Sequence, residues 1–320
     1  MAAVIGEDIV FAKSVLDTGN VVAIPTETVY GLAANATNAL AVVKIFQIKN
    51  RPFFNPLIIH LPSVEKAEKY TKDVPALAYD LFAKFSPGPL TILLEKSDDL
   101  PGIVTAGSPR VAVRIPDHAL TLQLLNSLDY PLAAPSANPF GYVSPTTAQH
   151  VADQLGSEIP YILNGGPSDV GVESTIIGFE DGQTVVYRLG GLAIEEIEKI
   201  TGKVTYKTAV EHVPDAPGML KSHYSPNKEF IVGDIDELLK KQINRSVGVI
   251  SFSKPYLADN VHNFILSPNG SLEEAAANLF AAIRMLDDSR MDVIIAEWLP
   301  ENGLGRAIND RLHRARLKND

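Results

Sequence analysis

Val21-Val22-Ala23-Ile24-Pro25-Thr26-Glu27-Thr28-Val29-Tyr30-Gly31-Leu32 runs from four apolar residues straight into a hydroxyl-bearing turn. Val21–Ile24, closed by a proline, reads as a buried strand, and the polar residues after it hang on that strand's end. Close behind come Lys49-Asn50-Arg51-Pro52 and Pro56-Leu57-Ile58-Ile59-His60, which bring two fixed cations and an imidazole beside the turn. Ammonium and guanidinium groups suit a polyphosphate, while the threonine hydroxyls and Tyr30 suit a small polar ligand. Ala134-Pro135-Ser136-Ala137-Asn138-Pro139 offers a second polar loop after a second apolar strand. Two such loops read as a nucleotide site with an acceptor beside it.

Outward from these loops, short apolar runs alternate with amphipathic stretches. Strands are expected at Leu57–Leu61, Leu90–Leu94, Val111–Ile115, Leu132–Ala134, Tyr161–Leu163, Thr175–Ile177 and Val185–Tyr187. Helices are expected at Ile9–Leu16, Ala39–Ile48, Val64–Tyr70, Ala76–Phe85, Leu120–Leu128, Thr146–Leu155 and Ile194–Ile200. Ser144-Pro145-Thr146 reads as an N-cap with proline in the first turn. The irregular order, with some strands adjacent, predicts a twisted mixed sheet in an α/β domain.

From Gly202 to Lys228 the periodicity fades. Val213-Pro214-Asp215-Ala216-Pro217-Gly218-Met219-Leu220-Lys221-Ser222-His223-Tyr224-Ser225-Pro226 carries three prolines and no apolar period. An irregular segment longer than about 12–15 residues is either a linker or a functional loop, and Met219, His223 and Tyr224 favour a functional cover. A smaller second module follows: strands Glu229–Val232, Val247–Phe252 and Val293–Glu297 interleaved with helices Ile235–Ile243, Leu272–Leu286 and Leu304–Arg316. That alternation predicts a Rossmann-like parallel α/β sheet, without the Gly-x-Gly-x-x-Gly fingerprint of dinucleotide binding. Ser271 and Glu274 are spaced as a capping box. The expected division is therefore 1–205, a linker or lid at 206–228, and 229–320.

The bulk numbers fit this division. A chain of 320 residues has room for two cores. No cysteine is present, which excludes disulfides, thiolate catalysis and cysteine-held metals, and fits a cytoplasmic protein. No apolar run approaches the roughly 18 residues that span a bilayer, and the first residues lack the basic segment of a signal peptide. The net charge of −10 disfavours attraction of nucleic acid to the whole surface. The seven histidines show no metal-ligand spacing.

Individual residues sharpen the picture. Lys49 and Arg51 end a helix, where cations also complement the helix dipole, but Pro52 and Pro56 stiffen the exit and favour phosphate binding. Arg114 lies within the apolar strand Val111–Ile115, so it must pair with an anion or face a cavity, and a substrate carboxylate would satisfy it. His60 ends its strand near the Thr28 loop, and Arg188 ends another strand, where phosphate contact is plausible. Gly171-Val172-Glu173-Ser174-Thr175 is a polar strand entry from which Ser174 could reach a ligand. The cations of Arg306, Arg311, Arg314, Arg316 and Lys318 read as a helix end.

Pro25–Leu32, Lys49-Asn50-Arg51, Pro56-Leu57-Ile58, Ser86-Pro87-Gly88-Pro89, Val113-Arg114-Ile115-Pro116 and Pro135-Ser136-Ala137-Asn138 together resemble the YrdC-type threonylcarbamoyl-AMP synthases. The paired Lys-x-Arg and Ser-x-Asn signatures are both intact, and Ala216–Met219 with His223–Pro226 resemble the linker of the two-domain form. The resemblance implies synthesis of L-threonylcarbamoyl-AMP from L-threonine, bicarbonate or carbon dioxide, and ATP with Mg²⁺ on its phosphates. The product would pass, through downstream threonylcarbamoyl transferase proteins, to an adenosine of tRNA. It also implies that Lys49, Arg51, Ser136 and Asn138 carry the chemistry. By the same likeness Thr28, Tyr30, His60, Arg114, Ala134 and Ser174 take threonine, and Arg51, Asn55, Ser136, Ser144 and Arg188 take ATP. His223 and Tyr224 would fold over the nucleotide, and the sequence assigns no side chain to Mg²⁺, leaving Glu27 and Glu173 as the candidates. Two other readings are an RNA-binding module, against which the acidic balance speaks, and an adenylating carbamoyl-transfer enzyme with another acceptor.

Overall fold

The computed structural model describes residues 2–208, 216–219 and 223–317. Of the proline-rich stretch, Val213-Pro214-Asp215 and Leu220-Lys221-Ser222 lie outside the described residues, as does Lys318.

The first domain opens with strands β1 (Val4–Gly6), β2 (Val22–Ile24), β3 (Gly31–Asn35), β4 (Ile58–His60), β5 (Thr71–Lys72) and β6 (Leu90–Lys96). It continues with β7 (Arg110–Arg114), β8 (Leu132–Ala133), β9 (Tyr161–Leu163), β10 (Thr175–Glu180), β11 (Gln183–Arg188) and β12 (Thr205–Tyr206). Together they form one mixed sheet in the order β1-β9-β2-β3-β8-β4-β7-β6-β10-β11-β12, with β5 on the side of β6. Parallel pairs such as β4–β7 and β6–β10 alternate with antiparallel β2–β3, β6–β7 and β10–β11.

The expected strands are present, and four more join them. β3 is the consequential addition. Gly31-Leu32-Ala33-Ala34-Asn35 has little β-propensity, yet it is clamped between β2 and β8 and buried through Ala34. The short β1, β5 and β12 sit at edges, where neighbouring backbone supplies the order that their own sequence does not. Helices Val64–Ala67 and Ile235–Leu239 stop short of the expected Tyr70 and Ile243.

Two caps differ from the expectation. The helix expected from Thr146 runs Ala148–Leu155 and is capped by Thr147, whose side chain accepts from His150 N. Ser144 is not the cap, because its hydroxyl donates to Glu173 Oε1 at 2.6 Å. Ser271 does cap the helix Leu272–Asp287 by accepting from Glu274 N. The reciprocal half of the capping box is missing, because Ser267 Oγ bonds both Glu274 Oε2 and Ser271 N.

The second domain is a sheet of β13 (Glu229–Val232), β14 (Val247–Ser251), β15 (Val261–Ile265) and β16 (Val293–Ala296), in the order β13-β16-β14-β15. All its pairs are parallel, as the alternation predicted. β15 was not expected, since His262 and Asn263 interrupt its apolar run at the sheet edge. The two domains share a core. Val29, Val143, Val172 and Tyr224 pack in one apolar cluster with Leu279, Phe280 and Ile283 of the helix Leu272–Asp287. Gly171, at φ +73°, lets that helix lie directly on the strand entry, where a Cβ would stand 2.4 Å from Ala277 Cα.

Candidate active site

Register sets the floor of the site. His60 lies opposite Arg114 across β4–β7, Arg114 opposite Thr91 across β7–β6, and Thr91 opposite Ile176 across β6–β10. Ile176 in turn lies opposite Arg188 on β11. Directly opposed residues share a face of a sheet, so one transverse row carries an imidazole and two guanidiniums. Ser174, two residues before Ile176, joins them: its hydroxyl is 2.6 Å from Thr91 Oγ1 and accepts from Arg188 Nη2 at 3.0 Å.

Backbone bonds bring the two polar loops together above this row. Leu32 N donates to Pro135 O at 2.7 Å, Ala137 N donates to Tyr30 O at 2.8 Å, and Gly31 forms an isolated bridge with Ser136. Asn50 ends the helix Ala39–Lys49 in the left-handed region at φ 50°, which turns the chain so that Lys49 and Arg51 both point inward and are buried. Lys49 Nζ donates to Ser136 O at 2.6 Å and to Asn138 O. Arg51 Nη2 donates to Asn55 Oδ1 at 2.7 Å and Pro56 O at 2.8 Å, and Nε donates to Asn55 O at 3.2 Å.

These elements enclose a cavity of about 50 Å³. Thr26 and Thr28 of the β2–β3 turn, Ala134 and Ser136 of the loop after β8, and Arg51, His60, Arg114, Glu173 and Arg188 face it. Val29, Gly31, Leu57, Ile58 and Pro135 also line it, and Pro217, Gly218, His223 and Tyr224 of the proline-rich stretch complete the wall. The last two are themselves anchored: His223 meets Tyr224 and Phe140 edge-on, and Tyr224 stacks on Phe280 at 5.4 Å.

The electrostatics are those of an enclosed cationic chamber. Burial and the neighbouring Arg188 push Arg51 down to about 9, and burial pushes Arg188 down to about 10, so both stay charged at neutral pH. Burial, with Arg51 close by, holds Lys49 well below the usual ammonium range. Burial and cations push His60 down to about 3 and His223 to about 3, leaving neutral imidazoles at physiological pH. Burial would raise Glu173, but Arg311 and Arg188 outweigh it and hold the carboxyl at about 2.

Arg114 departs from the expectation in one respect. Its counter-ion is internal, with Nη2 2.7 Å from Glu27 Oε1, so a substrate carboxylate is not needed to balance it, although it still faces the cavity. Lys49, Asn138, Tyr30, Asn55, Ser144 and Ser174 stand behind the wall rather than in it. Tyr30 bonds Gly166 O at 2.7 Å, and Asn138 Nδ2 bonds Pro139 O and Tyr142 O at 2.8 Å each. Thr26 is not among the residues expected to take threonine, although its hydroxyl lies 2.8 Å from that of Thr28 and it lines the cavity. Arg311 was misread as part of a helix end; it is fully buried and reaches Glu173 at 2.9 Å.

Among the described residues no group of three or more His, Cys, Asp or Glu side chains could hold a metal ion, and no helix is long and apolar enough to cross a membrane. Glu27 pairs with Arg114 through Oε1 and does not line the cavity, and the Glu173 oxygens are taken up by Ser144 and Arg311, so the donor set does not fit a protein-held Mg²⁺.

Residues 14–190 match the family model Sua5_yciO_yrdC, described as telomere recombination. Residues 192–316 match the model described as threonylcarbamoyl-AMP synthase, C-terminal domain. A threonylcarbamoyl-AMP synthase of Pyrococcus abyssi is 44% identical over 95% of this chain and 92% of its own length. That of Bacillus subtilis is 41% identical over 95% and 91%. The crystal structure of P. abyssi Sua5 complexed with L-threonine superposes with a TM-score of 0.91 at 42% identity, covering 98% of each chain. Both domains, in order and at nearly full length, are thus accounted for, and the chain belongs to the two-domain threonylcarbamoyl-AMP synthase family.

Proposed function

We propose that this cavity makes L-threonylcarbamoyl-AMP from L-threonine, bicarbonate or carbon dioxide, and ATP, releasing pyrophosphate. The observation that carries the reading is the convergence of Arg51, Arg114 and Arg188 with the Thr26 and Thr28 hydroxyls on one enclosed hollow. Once the threonine amine is carboxylated, the carbamate is already an anionic nucleophile. One carbamate oxygen bonds the α-phosphorus, the bond from that phosphorus to the bridging oxygen breaks, and pyrophosphate leaves. The reaction therefore asks for cations and positioning more than for a base.

On this reading Thr28, His60 and Arg114, with the backbone at Ala134, receive threonine. Arg51, Ser136 and Arg188 receive the phosphates, and Lys49, Asn55, Asn138, Tyr30, Ser144 and Ser174 hold those groups in place. Free carbamates lose carbon dioxide, so water has to be kept out during transfer. Pro217, Gly218, His223 and Tyr224 do this as a cover, with His223 and Tyr224 over the nucleotide. A hollow of about 50 Å³ is far below the ~300–1,000 Å³ of a typical small-molecule site, so the cover swings aside to admit ATP. Mg²⁺ arrives on the triphosphate as part of the substrate. The product goes to downstream transferase proteins acting on tRNA in the cytoplasm; the net charge of −10 gives the chain no general hold on RNA.

The test is pyrophosphate release by the purified chain with ATP, Mg²⁺ and bicarbonate, with and without threonine. Release is expected to depend on threonine and to fall by about tenfold or more with serine, which lacks the methyl contact. Release indifferent to threonine would overturn the reading.

A further inference from the structure

The helix Gly305–Ala315 of the second domain sends a charged side chain behind the wall of the first domain's cavity, onto Glu173. Arg311 is fully buried, and three of its nitrogens have oxygen partners. Nε donates to Glu173 Oε2 at 2.9 Å, Nη2 to Leu189 O at 2.9 Å, and Nη1 to Asp310 Oδ2 at 2.6 Å. Its guanidinium carbon lies 5.0 Å from the centre of the Tyr224 ring. Glu173 and Tyr224 both face the cavity.

The second domain also grips the other end of this chain of bonds. Ser144, which donates to Glu173 Oε1, is held by Arg284 of the helix Leu272–Asp287. Arg284 Nε donates to Ser144 O at 3.2 Å and Nη2 to Val143 O. The same helix lies on Gly171, two residues before Glu173. Both oxygens of one cavity carboxylate are thus fixed by groups that the second domain holds.

A polyphosphate entering this cavity would meet Glu173 as an anion of its own sign. Arg311 bonds Glu173 Oε2 and cancels that charge from behind, together with Arg188 of the first domain, while its face supports the Tyr224 ring. We propose that Arg311 is a positioning residue of the reaction: it neutralises and aims Glu173 and seats Tyr224, so that the second domain completes the phosphate side of the site. The threonine side, at Arg114 and His60, is served by Glu27 and the β4–β7 register and does not depend on it.

The role rests on the ATP reading above and is separable from it, because the unaltered enzyme is measured first. If that enzyme shows no threonine-dependent pyrophosphate release, the activity assignment fails and not the role of Arg311. With activity present, KM for ATP and for threonine are measured in Arg311→Gln, in Arg311→Lys and in the double variant Arg311→Gln/Glu173→Gln, with thermal unfolding followed in each. An unpaired buried Glu173 is expected to raise KM for ATP by about tenfold while KM for threonine stays within about twofold. Removing the Glu173 charge as well is expected to recover at least about threefold of that loss, whatever the melting temperature does. Where Arg311→Gln does not fold, Arg311→Lys carries the comparison, since it keeps charge but loses the fork that binds Glu173 and Leu189 together. Equal rises in both KM values, unchanged KM for ATP, or no recovery in the double variant would overturn the proposal.

Discussion

Arg51→Ala is expected to lower threonine-dependent turnover by about a thousandfold, and Arg51→Lys by about a hundredfold. Arg51 is buried, and its bonds to Asn55 and Pro56 use Nε and Nη2, which fixes the plane of the fork and leaves Nη1 for a ligand. It stands in a chamber with Arg188, whose charge helps hold Arg51 below its usual range. A cation held this way needs no reorganisation when charge builds on the transferring phosphoryl group, which is where electrostatic catalysis gains most. Lysine keeps the charge but cannot keep both anchors and reach a phosphate. Single-turnover rates at saturating ATP check this; a loss confined to KM would mean that Arg51 only binds.

Lys49→Met is expected to cost about 3 kcal/mol of stability and to lower turnover by about a hundredfold. The sequence reads Lys49 as a phosphate ligand, but its ammonium sits under the second loop and donates to the carbonyls of Ser136 and Asn138. Burial works against the charged form, so removing the charge returns some free energy. Two carbonyls left without a donor in a dry interior outweigh that return. Because Ser136 faces the cavity, loosening its loop also spoils the site. Urea unfolding and turnover measured side by side decide the matter: lost turnover with unaltered stability would assign Lys49 to the ligand alone.

What the sequence reveals, and what it hides, follows from the range of the forces involved. β4 and β7 are legible because burial on both faces writes itself as consecutive apolar residues, in Leu57–Leu61 and Val111–Ile115. The same pattern exposes Arg114 as out of place, and its position in the cavity wall agrees with that. β3 is illegible because Gly31–Asn35 is strand-like only between its neighbours β2 and β8. Ser144 and Thr147 are equally good caps on paper; the choice is made by Glu173, 29 positions on, which takes the Ser144 hydroxyl. Arg311 is hidden for the same reason. Its partner is 138 positions away, so among the cations of the last helix nothing local distinguishes a side chain buried behind a cavity wall from those that meet solvent.

The most direct measurement is a crystal structure of the full chain with L-threonine, Mg²⁺ and a non-hydrolysable ATP analogue. Phosphate density within hydrogen-bond reach of Arg51 and Arg188, with the threonine carboxylate or hydroxyl at Arg114, His60 or Thr28, is the result predicted. Triphosphate density bound away from the hollow lined by Pro217, Gly218, His223 and Tyr224, with those arginines still turned to their protein partners, would contradict it.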